Sequence, residues 1–101
     1  MNIDYELKSG ALFIMLDGEV DHSVSLETRE AVDEIIADNP LQAVVFDLKK
    51  VGFMDSAGIG LIMGRYKLLK KENRTLFLTN VSGSVDKLLA ISGIYNIVKK
   101  I

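Results

Sequence analysis

The sequence contains no cysteine and only one histidine among its 101 residues. The lack of cysteine excludes disulfide bonds, thiol catalysis and cysteine-ligated zinc. A lone histidine among scattered carboxylates shows no spacing typical of metal ligands, so we expect neither a metal nor another cofactor. No stretch is apolar for long enough to span a membrane, and the N-terminus lacks the cationic start and apolar centre of a signal peptide. These absences predict a soluble, cytoplasmic protein.

A strong charge of either sign is also absent, because the net charge is only −2. This balance gives no overall attraction to nucleic acid. One local cluster is basic, and it consists of Arg65, Lys67, Lys70, Lys71 and Arg74. We interpret this cluster as the solvent-exposed end of a helix, where cations suit the helix dipole. We therefore expect the protein to bind neither nucleic acid nor membranes.

Apolar residues make up 49% of the chain and charged residues 26%, which is typical of a globular protein with a real core. The length suits one domain over residues 1–101. Neither a linker nor a low-complexity segment divides the chain.

The apolar pattern predicts the order of the secondary structure elements. Apolar residues at helical spacing predict three helices, within residues 21–40, 56–71 and 82–93. Asn39-Pro40 should end the first helix, and Gly93 should end the third as a left-handed C-cap. The inward stripe of the first helix consists of Val24, Thr28, Ala31, Val32, Ile35 and Ile36. Alternating or continuous apolar runs predict strands, and they lie at residues 2–8, 11–18, 42–48, 75–81 and, at the sheet edge, 95–101. The later strands are apolar enough to be covered on both faces. Ser9-Gly10 predicts a tight turn, so the first two strands should form an antiparallel hairpin.

This order predicts an α/β fold. A mixed β-sheet of four to five strands begins with the hairpin, continues with parallel crossovers and carries helices packed on it. The segments 17–22 and 53–56 each follow a strand. Because functional loops gather at the carboxyl ends of parallel strands, both segments should lie at one rim of the sheet. Asp21 and His22 should therefore lie close to Asp55 and Ser56.

Ser56 stands where the second helix should begin, and several roles are open to it. Asp55 or Ser56 can simply cap the helix, an interaction worth about 1 kcal/mol. Asp21, Ser23 or Ser25 can do the same for the first helix. A serine at a helix N-terminus is also a suitable acceptor for a phosphate, because unpaired N–H groups and the helix dipole stabilise the added charge.

The glycines that follow Ser56 resemble a phosphate-binding loop only weakly. Gly58, Gly60 and Gly64 depart by one residue from the dinucleotide fingerprint, and Met63 occupies the position of its third glycine. We interpret Gly58 and Gly60 instead as residues that let the start of the helix pack closely on neighbouring backbone.

A serine nucleophile is the alternative from a different class of function. His22 could approach Ser56 as a base, with Asp21 or Asp55 as the orienting acid, which would make the protein a small serine hydrolase. The local sequence is not G-x-S-x-G, however, and a domain of this size has little volume for a substrate cleft.

The segment "FMDSAGIGLIMGRYK" resembles the phosphorylation site of the STAS-domain anti-sigma factor antagonists, whose pattern is Met-Asp-Ser-(Ser/Thr/Ala)-Gly-(Leu/Ile/Val)-Gly. The segment "GEVDHS" resembles the other signature loop of that family. "GRYK" and Asp21-His22 are more similar to its sporulation members than to its general-stress members. The predicted order of strands and helices matches the family's fold over nearly the whole chain. Two features depart from the pattern: Ala57 replaces a second hydroxyl, and longer members continue beyond the position of Ile101 into a final helix.

The resemblance implies a mechanism of partner switching that controls transcription, without catalysis by this chain. The unphosphorylated antagonist binds an anti-sigma factor, which is an ATP-dependent serine kinase, and so frees the sigma factor. The kinase phosphorylates the antagonist on the motif serine, here Ser56, and a serine phosphatase resets it. The implied docking surface contains Ser56 and its neighbours on both loops, namely Asp21, His22, Asp55, Gly58, Ile59 and Gly60.

Overall fold

The computed structural model describes the whole chain, Met1–Ile101, as one five-stranded mixed sheet with three α-helices. The strands are β1 (Asn2–Lys8), β2 (Ala11–Val20), β3 (Ala43–Met54), β4 (Thr75–Thr79) and β5 (Lys99–Lys100). The helices are α1 (Ser25–Asp38), α2 (Ser56–Lys71) and α3 (Gly83–Ser92), and a short 3₁₀ turn covers Ile94–Asn96. The predicted α/β fold class is confirmed. None of the helices is both long and apolar enough to cross a membrane.

The predicted N-terminal hairpin is confirmed. Strand β1 pairs antiparallel with β2 along its whole length. The turn residues Ser9 and Gly10 have φ of 53° and 74°, and two consecutive positive φ values match the right-handed twist of a hairpin. Strands β2, β3, β4 and β5 then follow in parallel.

All three helices cover the same face of the sheet, because the chain order equals the spatial order β1-β2-β3-β4-β5. Right-handed crossovers that step repeatedly in one direction place every helix on one side. The strand residues of this helix-covered face are almost fully buried in the main core: Leu12, Ile14, Leu16, Val44, Phe46, Leu48, Leu76 and Leu78. The other face carries no helix, so the expectation that the later strands are covered on both faces is wrong, although Val45 on that face is only 2% exposed.

Several element ends differ from the prediction. Strand β3 continues through Met54, six residues beyond the predicted end, and β2 continues through Val20. Residues 17–20, 53 and 54, which were predicted to follow the strands, therefore lie within them. Pairing with the second half of β2 extends β3, after register shifts. The last strand is shorter than predicted, because a 3₁₀ turn replaces its first half. Helix α3 ends as predicted at Gly93, whose φ of 82° is left-handed.

The interpretation of the basic cluster as an exposed helix end is wrong for its two arginines. The side chain of Arg74 is only 8% exposed and donates to the carbonyl groups of Ile36, Asn39 and Leu41, at 3.2, 2.8 and 2.7 Å. These carbonyls end α1 and begin the following loop, so Arg74 caps α1 from a distant part of the chain. This interaction has no local pattern in the sequence.

Arg65 is the second buried arginine. Its Nε lies 2.9 Å from Asp33 Oδ1 of α1, an ion pair whose alignment is poor for a hydrogen bond. Burial lowers the pKa of Arg65, and the charge of Asp33 opposes this effect. Arg65 therefore joins α2 to α1 beneath the surface described next.

Candidate functional site

The two loops predicted to share a rim are joined directly. Val20 and Met54 are register partners at the ends of β2 and β3. The backbone N–H of Asp55 donates to the carbonyl of Val20 at 3.2 Å, and the N–H of His22 donates to Asp55 Oδ2 at 3.2 Å. Asp55 thus holds the loop after β2 against the start of α2. We call the surface formed by residues 21–24 and 55–60 the rim.

Asp55, and not Ser56, caps α2. Its backbone is extended, with φ −112° and ψ −167°, and its Oδ1 accepts a hydrogen bond from the N–H of Ala57 at 2.8 Å. The carboxylate therefore binds the helix end with one oxygen and His22 with the other. Ser56 is the first helical residue, its side chain is exposed, and its hydroxyl makes no hydrogen bond within the chain. The fold does not use this hydroxyl.

The loop that carries Asp21 and His22 is ordered by its own side chains. Asp21 Oδ1 accepts hydrogen bonds from the hydroxyl and the N–H of Ser23, at 2.6 and 3.0 Å. The hydroxyl bond is the main reason that the pKa of Asp21 is lowered. Ser25 Oγ donates to the carbonyl of His22 at 3.2 Å. None of the predicted side chains caps α1, because its N-cap position is Val24.

The three glycines lie inside α2, so they do not form a phosphate-binding loop. A Cβ at Gly58 would overlap the side chain of Met54, whereas a Cβ at Gly60 or Gly64 would meet nothing within 4 Å. The interpretation of Gly58 and Gly60 is therefore wrong in detail. Gly58 leaves space for the side chain of Met54 and not for backbone, and the space beside Gly60, where a Cβ would stand, is open. Ile59 is half-buried and packs against the core.

A shallow groove of about 310 Å³ extends the rim between α1 and α2. Leu26 and Arg29 of α1 line one side, and Ala57, Gly60 and Gly64 of α2 line the other. Leu26 is 56% exposed. This groove was not predicted from the sequence, although two signals were present: a leucine on the polar face of α1, and small residues at helical spacing in α2.

The serine-hydrolase alternative is not supported. The hydrogen bond that links His22 to the α2 start comes from its backbone, and no hydrogen bond joins its imidazole to Ser56. Ser56 and His22 line neither the groove between α1 and α2 nor the cleft formed by residues of β1, β2 and β3. The structure thus shows no activation of the Ser56 hydroxyl by His22, which a nucleophilic serine requires.

A one-sided α/β sheet that presents an unused serine hydroxyl at a capped helix start defines a small binding domain. The family model of the STAS domain matches residues 2–101. The chain belongs to the STAS-domain family.

Two relatives carry related names. An anti-sigma F factor antagonist of Paenibacillus polymyxa is 37% identical over 97 residues, which span 96% of this chain and 83% of that protein. An anti-sigma-B factor antagonist of Bacillus subtilis is 28% identical over 98 residues, which span 97% of this chain and 88% of that protein.

Two solved structures show the anti-sigma factor antagonist SpoIIAA in its two states. The unphosphorylated form has 26% identity and a TM-score of 0.80, over 99% of this chain and 88% of that one. The phosphorylated form, from Bacillus, has 25% identity and a TM-score of 0.71, over 99% of this chain and 91% of that one.

Proposed function

We propose that this protein is an anti-sigma factor antagonist that acts by partner switching. Its unphosphorylated form binds a cognate anti-sigma factor and releases the sigma factor. The anti-sigma factor is itself a serine kinase that uses ATP, and it phosphorylates Ser56 and thereby ends the complex. A serine phosphatase restores the binding form. The identity to the anti-sigma F factor antagonist, 37%, exceeds the 28% identity to the anti-sigma-B factor antagonist, and this difference supports a role in sporulation.

The observation that carries this proposal is the free hydroxyl of Ser56. Asp55 already caps α2, so Ser56 contributes no side-chain bond to the fold and its exposed hydroxyl is accessible to a kinase. Ala57, which follows, has no hydroxyl. Ser56 is thus the single acceptor of its motif.

The position also explains how a phosphate can act without unfolding the domain. A phosphoserine carries a charge of about −1.5 to −2, and a negative charge at a helix N-terminus is favourable by roughly 0.3–1 kcal/mol. The carboxylates of Asp21 and Asp55 are already fixed by hydrogen bonds at the same rim. A partner that docks there must desolvate the new charge beside these two acids.

The rim and the groove beside it form the proposed docking surface. Asp21, His22, Asp55 and Ser56 present the polar part, and Gly60 leaves the surface of α2 open to close approach. Ile59 and Gly58 contribute by packing α2 in place. The exposed Leu26 offers an apolar anchor at the groove. The protein acts in the cytoplasm without catalysis of its own, and it binds neither nucleic acid nor membranes.

Incubation with the purified cognate kinase and ATP, followed by intact-mass measurement, tests the site. We expect one phosphate on the wild type and none on Ser56→Ala. Ser84→Ala is the matched control, because Ser84 is another exposed serine in the first turn of a helix, and it should take up phosphate like the wild type. Stoichiometric phosphorylation of Ser56→Ala would refute the assignment.

A further inference from the structure

The face of the sheet opposite the helices is uncovered and carries an ordered row of side chains. Register pairing places one residue of each strand side by side across the sheet: Glu6, Phe13, Val45, Phe77 and Lys99. Partners in register point to the same face, and none of these residues belongs to the core beneath the helices. The row therefore has an acid at one edge, a base at the other and an apolar centre.

We propose that this uncovered face is an interface between two copies of the chain. The symmetry of the row is the reason. A twofold axis parallel to β3 exchanges the two edges of the sheet, so that Glu6 of one copy faces Lys99 of the other, and the reverse. Phe13 then faces Phe77. Val45 lies on the axis, but it is only 2% exposed within one copy, so the contact depends on the two phenylalanines and the charged ends of the row. Such an isologous contact closes at two copies.

The exposed ends of the row provide the charge complementarity. Glu6 and Lys99 are both exposed, and Glu6 has only a 3.6 Å pair with Lys8, which is also exposed. Exposed pairs of this kind contribute little, so Glu6 remains available to a second cation. Phe13 and Phe77 are half-buried although no helix covers them. Phe77 would bury further area in the contact, and Phe13 would do so once the Lys8 side chain, whose Nζ lies 4.7 Å from the centre of its ring, moves aside.

One residue opposes the contact and limits its strength. Asp47 lies two residues along β3 from Val45, on the same face, so the two copies of Asp47 face each other across the axis. Each carboxylate accepts hydrogen bonds from Asn80 Nδ2 at 3.1 Å and from the N–H of Lys49 at 3.0 Å, and neither bond supplies a partner across the axis. The row spans four inter-strand spacings, about 19 Å, which is narrow for a stable interface. We therefore expect a weak dimer.

Sedimentation velocity from micromolar to millimolar concentration tests this proposal through a charge swap. Wild-type protein should dimerise reversibly. Glu6→Lys and Lys99→Glu should each weaken dimerisation by about tenfold or more, because each creates two like-charge contacts. The double variant Glu6→Lys/Lys99→Glu restores both pairs and has the wild-type net charge of −2, so it should dimerise like the wild type. Asp47→Asn should strengthen the dimer.

The control is Ile91→Ser on α3, which removes a side chain that is 86% exposed and lies on the helix layer. It should leave dimerisation unchanged, and circular dichroism should show that every variant is folded. A wild type that stays monomeric at millimolar concentration would overturn the proposal. So would a double variant no better than either single variant, or loss of the dimer in Ile91→Ser.

Discussion

Two substitutions of Asp55 test the two hydrogen bonds that hold the rim together. Asp55→Ala removes the cap of α2 and the acceptor for the N–H of His22. The lost cap costs about 0.5–2 kcal/mol. The second bond adds about 0.5 kcal/mol, because water replaces it at the exposed His22. Asp55→Asn keeps an oxygen for the cap but loses the negative charge and one acceptor, so it should cost less than about 1 kcal/mol.

Urea and thermal unfolding followed by circular dichroism measure both variants. With roughly 4–8 °C per kcal/mol for a domain of this size, Asp55→Ala should lower Tm by about 5–15 °C. Asp38→Ala is the matched control, because it removes an exposed acid at the C-terminal end of α1, where the helix dipole disfavours a negative charge. Equal destabilisation by Asp55→Ala and Asp55→Asn would refute the capping role, and a large effect of Asp38→Ala would show that the loss is not specific to the rim.

Three further changes test the packing and electrostatics of the fold. Gly58→Ala should lower the free energy of unfolding, measured in urea, by about 1–3 kcal/mol, because the new Cβ overlaps the side chain of Met54. Gly60→Ala should leave this free energy unchanged or raise it by up to about 1 kcal/mol, because the space there is open. Equal effects of the two substitutions would contradict this. Arg74→Met should cost about 2–4 kcal/mol, because three carbonyl groups lose their partner, and an unchanged urea midpoint would exclude the cap on α1. The pKa of Asp86 is lowered, first by the hydroxyl of Tyr95 and then by a lysine. A carboxyl whose pKa is lowered on folding stabilises the fold above its unfolded pKa, near 3.8, and this stabilisation is lost as the pH falls below that value. In Asp86→Asn, Tm should therefore decrease less steeply than in the wild type as the pH is lowered through this range, and an equal decrease would contradict this.

Local patterns in the sequence predicted the order of the elements well. Of the six residues predicted to form the inward stripe of α1, Thr28, Val32 and Ile36 are buried and the other three are half-buried. Asn39-Pro40 and Gly93 marked helix ends that the structure confirms. Such signals depend on a few neighbouring residues, which a single sequence displays directly.

Features that depend on distant contacts could not be predicted. Arg74 reads as a surface cation, and only its approach to the end of α1 buries it. The second half of β3 reads as a loop, and pairing with β2 makes it a strand. For the candidate site, the sequence placed Asp21 and His22 near Asp55 and Ser56, but it did not show that Asp55 is the cap or that the groove at Leu26 exists.

The most direct test of the account is the affinity of the anti-sigma factor for the unphosphorylated and phosphorylated forms, measured by calorimetric titration. The phosphoprotein should keep the circular dichroism spectrum and the Tm of the unmodified protein, because a negative charge at the start of α2 is favourable. Its affinity should fall by about tenfold to a thousandfold, since like-charge contacts at an interface cost several kcal/mol and each 1.4 kcal/mol is tenfold. Equal affinity of the two forms would contradict the switch at Ser56.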